Sequence, residues 1–356
     1  MKIVVGMSGG VDSAVSALLL HRQGHEVIGV FMKNWEETDD QGVCTATQDW
    51  EDVQATCDAI GIPYYAVNFT QEYRDRVFSH FLSEYQKGRT PNPDVLCNRE
   101  IKFKAFLDFA MQLGAEKLAT GHFARLRETD SGVQLLRGVD GNKDQSYFLY
   151  MLSQQPLSKA VFPVGGLTKA QVREIATEAN LPIAAKRDST GVCFIGERDF
   201  KAFLKGFLPA QPGDIVAADG KVVGQHDGLM YYTLGQRRGL GIGGTPGTSG
   251  AWFVVEKDLV DNRLIVEQGE DSPRLYTTIC HASGATWSQG NPPAVTFDCT
   301  AKYRYRQPDQ KVHVQVDGES LLVTAYAPQR AVTPGQSVVL YDGDVCLGGA
   351  VADRAE

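Results

Sequence analysis

The first half of the chain alternates short apolar runs with segments that carry apolar residues at helical spacing. The apolar runs predict strands at Lys2–Met7, Val27–Met32, Tyr64–Asn68 and Lys117–Thr120. The helical spacing predicts helices at Ser13–Gln23, Gln48–Ile60, Gln71–Lys87, Ile101–Leu113 and Lys169–Ala179. Buried strands that alternate with helices are typical of a parallel sheet covered by helices on both faces. We therefore predict an α/β domain over residues 1–200.

The second half of the chain is rich in β-forming residues and is interrupted by glycine turns. Asp-Gly pairs at 219–220, 317–318 and 342–343 each separate two such runs, which is a strong signal for a hairpin. Apolar and polar residues alternate over 312–316, as in a half-buried strand. We predict a small β-rich central domain over 201–272. Residues 273–356 should form an antiparallel barrel or a sandwich, and of these two we predict the barrel.

The composition is that of a globular protein. Hydrophobic residues make up 43% of the 356 residues and charged residues 22%, which excludes disordered, collagenous and coiled-coil chains. No apolar run approaches the roughly 18 to 20 residues of a membrane span, and Met1–Gly6 is too short for the apolar part of a signal peptide. The seven cysteines form no disulfide framework. We therefore expect a cytoplasmic protein without a membrane partner.

A glycine-rich loop follows the first strand and opens the first helix. Its residues are Gly6, Met7, Ser8, Gly9, Gly10, Val11, Asp12 and Ser13. Backbone amides of such a loop face an anion, with the two serine hydroxyls beside them. No lysine follows the glycines as it does in GxxxxGK[ST], so the loop suits a pyrophosphate that leaves as a unit. The sequence thus predicts ATP cleavage between the α and β phosphates. The alternative is a strand-to-helix turn without a ligand.

Two cysteines lie in polar loops marked by proline or glycine. Cys97 follows Asn92–Leu96 and precedes the predicted helix at Ile101, whose dipole would favour a thiolate. Asp94 is close enough in sequence to handle a proton. Cys193 lies in a loop of small residues. Two reactive thiols beside an ATP-cleaving site predict sulfur chemistry, in which one thiol carries a persulfide and the other forms a disulfide to release it.

Two other interpretations of the cysteines follow from their chemistry. Cys97, Cys193 and Asp94 could ligate an iron–sulfur cluster, although two cysteines fall short of the usual four. The remaining cysteines are expected to be unreactive core residues, and they are Cys44, Cys57, Cys280, Cys299 and Cys346.

The stretch Ser8–Ser13 resembles the signature of the ATP-pyrophosphatase family, whose members adenylate a carbonyl oxygen and release pyrophosphate. Met32 and Gly121 match family positions that contact the adenosine. Longer stretches are similar to the tRNA sulfurtransferases of this family, and they span nearly the whole chain. They include Phe31–Trp35, Gly88–Asp94, Leu96–Asn98, Asn142–Leu149, Asp188–Gly196 and Thr333–Ser337.

This resemblance implies an enzyme that converts the wobble uridine of tRNA to 2-thiouridine, with ATP and Mg²⁺ as cofactors. ATP would adenylate O2 of the base, and a persulfide on Cys193 would attack C2. Cys97 would assist the release of sulfur and close a disulfide with Cys193. Asp94 would act as general acid and base in the adenylation step. The sulfur donor would be a cysteine desulfurase or a relay protein, and the expected tRNAs are those for lysine, glutamate and glutamine.

A base in an anticodon loop must be flipped out to reach such a site. The resemblance implies tRNA contacts at Asn92, Pro93, Asp94, His122, Lys143, Asp144, Gln145, Arg304, Tyr305 and Gln336. The segment Lys302–Arg306 alternates cations with tyrosines, a pattern that suits RNA, or else the solvated face of a strand. The net charge of −8 argues only weakly against RNA, because a local basic face is enough. No metal ligand is predicted in the protein. Competing functions are a small-molecule synthetase and a non-catalytic tRNA-binding protein.

Overall fold

The computed structural model describes residues 1–35, 45–188, 200–243 and 250–356. Cys44 and Cys193 lie outside the described residues, as does the stretch Ser189–Gly196 that the sequence singles out. The α-helices are α1 (Val11–Arg22), α2 (Thr45–Ile60), α3 (Thr70–Tyr73), α4 (Ser79–Gln86), α5 (Pro93–Leu96), α6 (Phe106–Gln112), α7 (Gln154–Lys159), α8 (Lys169–Glu178) and α9 (Phe200–Lys205). Two π-helical segments, Arg74–Phe78 and Cys97–Ala105, join α3 to α4 and α5 to α6.

The structure contains 17 strands in the described residues, seven of them in the first domain. The first group comprises β1 (Lys2–Met7), β2 (Glu26–Lys33), β3 (Tyr64–Asn68) and β4 (Lys117–Ala119), and a later hairpin comprises β5 (Ala124–Thr129) and β6 (Gly132–Arg137). A short strand, β7 (Ala160–Val161), completes the domain. The other strands are β8 (Gly213–Ala217), β9 (Val222–His226), β10 (Trp252–Asp258), β11 (Arg263–Gln268), β12 (Tyr276–Trp287), β13 (Thr296–Lys302), β14 (Gln310–Asp317), β15 (Ser320–Arg330), β16 (Ser337–Asp342) and β17 (Val345–Ala355).

The first domain is built on a parallel sheet in the order β3-β2-β1-β4-β7. Alternate residues of β1 enter different cores. Ile3 and Val5 lie in the same core as the apolar residues of α1, whereas Val4 lies in the same core as those of α6. Helices therefore cover both faces of the sheet, which confirms the predicted α/β fold. None of the helices in the described ranges has the length and hydrophobicity that crossing a membrane requires.

One helix begins eight residues earlier than predicted. Pro93 occupies its first position, and the Asn92 side chain caps it by accepting a hydrogen bond from the Asp94 backbone nitrogen at 3.2 Å. Asn followed by Pro commonly begins a helix. The Asn side chain accepts a hydrogen bond from an unpaired backbone N–H group, and proline has no backbone N–H that would be left unpaired. The helix continues through the π-helical segment, where Phe103 (φ −103°, ψ 17°) marks a kink, into α6.

The central sheet has the order β10-β11-β8-β9, and its β8–β11 pair is parallel. The last six strands pair in the order β12-β15-β14-β13-β16-β17, and β12 also pairs with β17. That final pairing closes the sheet on itself, so the predicted barrel is confirmed and the sandwich is wrong. The glycines of the three predicted Asp-Gly turns all have positive φ, at +90°, +58° and +53° for Gly220, Gly318 and Gly343.

A hairpin of the first domain extends the barrel sheet. β6 pairs with β17, with Leu136 opposite Val345 and Leu135 opposite Cys346. Leu135, Cys346 and Tyr341 are fully buried in the same core as the helices of the first domain. The first domain and the barrel thus share both a sheet and a hydrophobic core. The sequence analysis did not predict this hairpin.

Candidate active site

The glycine loop lies at the carboxyl end of β1, where parallel sheets bind ligands. The Ser13 hydroxyl folds back over the loop. It accepts from the Ser8 backbone nitrogen at 3.2 Å, lies 3.2 Å from the Ser8 hydroxyl and donates to the Gly10 carbonyl at 3.1 Å. Gly9 has φ +70°, a backbone conformation that residues with a side chain rarely adopt. These contacts set a tight loop with both hydroxyls on one side.

The loop leads directly into the amino terminus of α1, which is 12 residues long. Gly10 is the N-cap in an extended conformation, and no side chain of the described residues caps the helix there. The first-turn amides and the positive end of the helix dipole are therefore available to an anion.

Met32 and Gly121 approach this loop from the two neighbouring strands. A Cβ placed on Gly6 would lie 3.5 Å from Met32 Cε, and one placed on Gly121 would lie 2.7 Å from the Ser13 backbone nitrogen. The structure thus brings together all the residues predicted to hold the nucleotide, which are Gly6–Ser13, Met32 and Gly121. Gly121 has to be glycine because any side chain there would strike the start of α1.

A group of charged side chains adjoins the loop. Lys169 Nζ donates to Asp12 Oδ1 at 2.6 Å and to Asp188 Oδ1 at 2.7 Å. Asp188 also accepts from Lys143 at 2.8 Å and from Arg173 at 2.8 Å. We call these five residues the Asp188 cluster. It carries three cations and two carboxylates, so its net charge is positive.

The cluster shifts the pKa of both carboxyl groups. Burial raises the pKa of Asp12 above its ordinary value, and the hydrogen bond and charge of Lys169 only partly oppose this. Burial would also raise the pKa of Asp188, but hydrogen bonds from Lys143 and Lys169 outweigh it and lower that pKa to about 2. Asp188 is therefore a firmly ionised anchor for the cations around it.

Asp94 and Cys97 lie on the helix that begins at Pro93. Asp94 is its second residue and Cys97 its fifth, so the two are one turn apart on the same face. Cys97 is buried, with 1% of its surface exposed. The expectation that Cys97 lies beside the amino terminus of a helix at Ile101 is wrong, since the thiol lies in the second turn, where the dipole effect has largely decayed. Asn98 ties this helix to a later segment of the same domain by donating to the Phe148 carbonyl at 3.0 Å.

Four of the cysteines expected to be unreactive fit that expectation. Burial is the main cause that raises the pKa of each thiol to about 12, and they are Cys57, Cys280, Cys299 and Cys346. A thiol with such a pKa holds almost no thiolate at neutral pH, so it is a poor nucleophile.

The predicted tRNA contacts of the first domain differ in their surroundings. His122 is buried against Thr120 Oγ1, 2.6 Å from its Nδ1, and burial lowers the pKa of His122 well below its usual range. The Asp144 carboxylate is also buried, and it accepts from the Gly138 nitrogen and from Ser146. Gln145 accepts from the Phe123 nitrogen at 3.0 Å. Lys143 and Gln145 are half-buried, with 37% of the Lys143 side chain exposed, whereas His122 and Asp144 are buried.

The barrel brings its predicted contacts to the same region. Gln336 donates to the Thr90 carbonyl at 2.7 Å, two residues before Asn92. Tyr305 donates to the Lys143 carbonyl at 3.4 Å, and its ring lies 4.4 Å from that of Phe148. Tyr305 and Gln336 therefore join the barrel to the first domain at Lys143 and beside Asn92, whereas the contacts of His122 lie within the first domain.

The alternative that Lys302–Arg306 forms the solvated face of a strand is wrong. Strand β13 ends at Lys302, and Tyr303 is buried in the barrel core. Arg304 donates to the carbonyls of Ala331 at 2.7 Å and Leu234 at 3.2 Å, so it joins the barrel to the central domain. Burial also lowers the pKa of this guanidinium. The segment is an interdomain turn and not a solvated strand.

Three domain families match the chain in order. They are described as tRNA methyl transferase HUP domain over residues 1–197, tRNA methyl transferase PRC-barrel domain over 201–268 and aminomethyltransferase beta-barrel domain over 277–352. Proteins named tRNA-specific 2-thiouridylase MnmA are similar along their whole length. That of Alkaliphilus oremlandii is 60% identical over 354 residues, covering 99% of this chain and 97% of its own. That of Enterococcus faecalis is 60% identical over 357 residues, covering 99% and 96%.

The chain belongs to the tRNA-specific 2-thiouridylase family. A solved structure of a 4-thiouridine synthetase in complex with RNA and bound ATP is 18% identical, with a TM-score of 0.37, and the match covers 58% of this chain and 49% of that one. The resemblance stated from sequence motifs is confirmed by the full-length relatives.

Two charged residues of the Asp188 cluster escaped the sequence analysis. Lys169 and Arg173 lie on α8, more than 150 residues after the loop, and contact Asp12 and Asp188 respectively. A partial signal was available, because Thr168 and Gln171 form a capping box, with hydrogen bonds of 2.8 and 3.3 Å, that sets the start of α8. Nothing in the local sequence, however, indicates which loop this helix start faces.

Proposed function

We propose that this protein converts the wobble uridine of tRNA to 2-thiouridine at the expense of ATP. The observation that supports this best is the convergence of three elements. Asp12 of the nucleotide loop is linked through Lys169 and Asp188 to Lys143, whose carbonyl Tyr305 contacts. Gln336 of the same barrel contacts Thr90, just before the helix that carries Asp94 and Cys97. The chain that makes these contacts is 60% identical to proteins named tRNA-specific 2-thiouridylase MnmA.

In the first step the loop would hold the phosphates of ATP. The amides at the start of α1 and the hydroxyls of Ser8 and Ser13 would bind the pyrophosphate, with the adenosine beside Met32 and Gly121. O2 of uridine would attack the α phosphorus, which forms an O2–P bond and breaks the bond to the β phosphate. Pyrophosphate would leave as a unit. Asp94 would serve as general acid and base at the uridine.

Mg²⁺ would enter with the nucleotide. The described residues contain no group of three or more His, Cys, Asp or Glu side chains that could hold a metal. Mg²⁺ in nucleotide sites is commonly held by phosphates, waters and one or two carboxylates. Asp12, with 32% of its side chain exposed at the loop, fits that role.

In the second step sulfur would replace the activated oxygen. The terminal sulfur of a persulfide on Cys193 would attack C2 and expel AMP. The Cys97 thiolate would then attack Cys193 Sγ, which leaves the sulfur on C2 and forms a Cys97–Cys193 disulfide. A reductant must restore both thiols before the next turnover. A cysteine desulfurase or a relay protein would then reload Cys193 with sulfur.

The tRNA would lie across the junction with its base flipped out. Asn92, Pro93 and Asp94 would contact the base, because they form the capped start of the helix that carries Cys97. The residues that would contact the remainder of the tRNA are His122, Lys143, Asp144, Gln145, Arg304, Tyr305 and Gln336. Asp144 would do so through its backbone, since its carboxylate is used internally. The expected substrates are the tRNAs for lysine, glutamate and glutamine, and the reaction would take place in the cytoplasm.

The test is thiolation in a defined mixture. The purified protein would be incubated with Mg-ATP, a cysteine desulfurase with cysteine, a reductant and unmodified tRNA. Digestion of the tRNA and mass spectrometry should detect 2-thiouridine, with AMP released in equal amount. AMP release without thiolated tRNA would contradict the proposed substrate.

Substitutions at Cys97 and Cys193 test the roles proposed for the two thiols. Cys97→Ser and Cys193→Ser should each abolish 2-thiouridine while leaving tRNA affinity within about twofold of wild type. Cys299→Ser is the matched control, because burial already keeps that thiol protonated, and it should thiolate tRNA at the wild-type rate. Full activity of either of the first two variants would refute the assigned roles. Stoichiometric iron in the active protein would favour the cluster hypothesis instead.

A further inference from the structure

The Asp188 cluster physically connects the two proposed substrate sites. Asp12 belongs to the nucleotide loop, and Lys143 is a proposed tRNA contact. Between them stand Lys169 and Asp188, joined by contacts of 2.6, 2.7 and 2.8 Å. Resting on the proposed function, we propose that Lys169 and Asp188 are positioning residues that couple nucleotide binding at the loop to tRNA binding at Lys143.

The geometry of Asp188 makes such coupling specific. Its two oxygens are divided between the sites, since Oδ1 accepts from Lys169 and Arg173 and Oδ2 accepts from Lys143. The carboxylate therefore contacts Lys143 through one oxygen while the cations of α8 hold the other. Lys169 is itself firmly placed, because 12% of its side chain is exposed and its backbone nitrogen donates to Asp140 at 2.9 Å.

The direction of the coupling follows from the cost of ordering side chains. Lys143 has 37% of its side chain exposed and lies at the end of the chain of contacts. Phosphates at the loop would attract Lys169, which has one further N–H donor besides those used by Asp12 and Asp188. A more firmly held Lys169 fixes Asp188, and Asp188 then fixes Lys143. The tRNA would find Lys143 already ordered, so bound nucleotide should tighten tRNA binding.

Net charge supports the same conclusion. The cluster has three cations, Lys143, Lys169 and Arg173, against the two carboxylates of Asp12 and Asp188. Triphosphate and RNA are both anionic, and the excess positive charge lies between the two proposed sites. The triphosphate and the RNA would therefore each approach cationic side chains that the cluster holds in place.

The experiment measures tRNA affinity with and without a nucleotide that cannot react. α,β-Methylene-ATP blocks cleavage between the α and β phosphates, and unmodified tRNA binding would be followed by filter retention with Mg²⁺ present. For the wild-type protein the analogue should tighten tRNA binding by about fivefold or more. By reciprocity, tRNA should tighten binding of the analogue by the same factor.

Asp188→Asn and Lys169→Met should each reduce that factor to less than about twofold. Lys169→Arg should restore part of it, because a guanidinium can still bridge two carboxylates. Asp261→Asn is the matched control, since it removes an ion pair with Arg263 on the hairpin of the central sheet, outside the cluster, and should leave the coupling unchanged. Circular dichroism and melting temperature check that each variant is folded.

Several outcomes would overturn the proposal. These are no coupling in the wild-type protein, weaker tRNA binding with the analogue, or full coupling in folded Asp188→Asn. Thiolation by the wild-type protein is measured separately. If thiolation occurs without coupling, only this inference fails; if tRNA neither binds nor becomes thiolated, the proposed function fails first.

Discussion

Replacing Gly121 with alanine tests the nucleotide site at its tightest point. The new Cβ would lie 2.7 Å from the Ser13 nitrogen and 2.8 Å from the Asp12 carbonyl carbon, and both are backbone atoms that cannot rotate away. The start of α1 must therefore shift. Overpacking of this kind typically costs about 1–3 kcal/mol. If that cost falls on the nucleotide site, KM for ATP should rise by about 5- to 150-fold, since each 1.4 kcal/mol corresponds to about tenfold.

The assay is AMP release in the presence of saturating tRNA while ATP is varied. Gly166→Ala is the control, because its Cβ would meet nothing within 4 Å, and it should leave KM unchanged. The affinity of Gly121→Ala for tRNA without nucleotide should remain near wild type. An unchanged KM for ATP in folded Gly121→Ala would refute the conclusion that the start of α1 holds the phosphates.

Three further predictions follow. The cations around Asp188 lower its pKa to about 2, whereas the unfolded chain has a value of about 4. The stability that Asp188 contributes is therefore present above about pH 4 and is lost as the pH falls toward 2. Asp188→Asn should make the free energy of unfolding depend less on pH in that window, as followed by circular dichroism. Leu135→Ala in the shared core should cost about 2–5 kcal/mol and lower the urea midpoint of both the first domain and the barrel; separate transitions would contradict a shared core. Asn92→Ala removes the helix cap and should cost about 0.5–2 kcal/mol by thermal unfolding, with loss of thiolation; unchanged stability would show that the cap is not needed.

The regular parts of the fold were predictable because their signals are local. The strands of the parallel sheet are short apolar runs, and the barrel turns are Asp-Gly pairs. The nucleotide loop was predictable for the same reason, since Gly6–Ser13 is contiguous and joins a strand to a helix.

The missed features depend on contacts between distant segments. The hairpin Ala124–Arg137 has arginines and a glutamate on its outer strand, and its apolar residues face a barrel some 200 residues later. Lys169 meets Asp12 across 157 residues. The sequence also did not show that Arg304 donates hydrogen bonds to the carbonyls of Ala331 and Leu234, which lie in other parts of the chain. Sequence periodicity describes one element and not the partner it meets.

The pairing of β6 with β17 has a consequence for how the chain is made. About 200 residues separate the two strands, which at roughly 5–20 residues per second means about 10–40 s of synthesis on the ribosome. Throughout that interval β6 presents an unpaired edge, and Leu135 lacks the barrel side chains that finally bury it. The first domain therefore completes its core only after the barrel emerges. Nascent chains of this protein should bind chaperones until late in translation, and ribosome profiling of chaperone-bound chains would measure that interval.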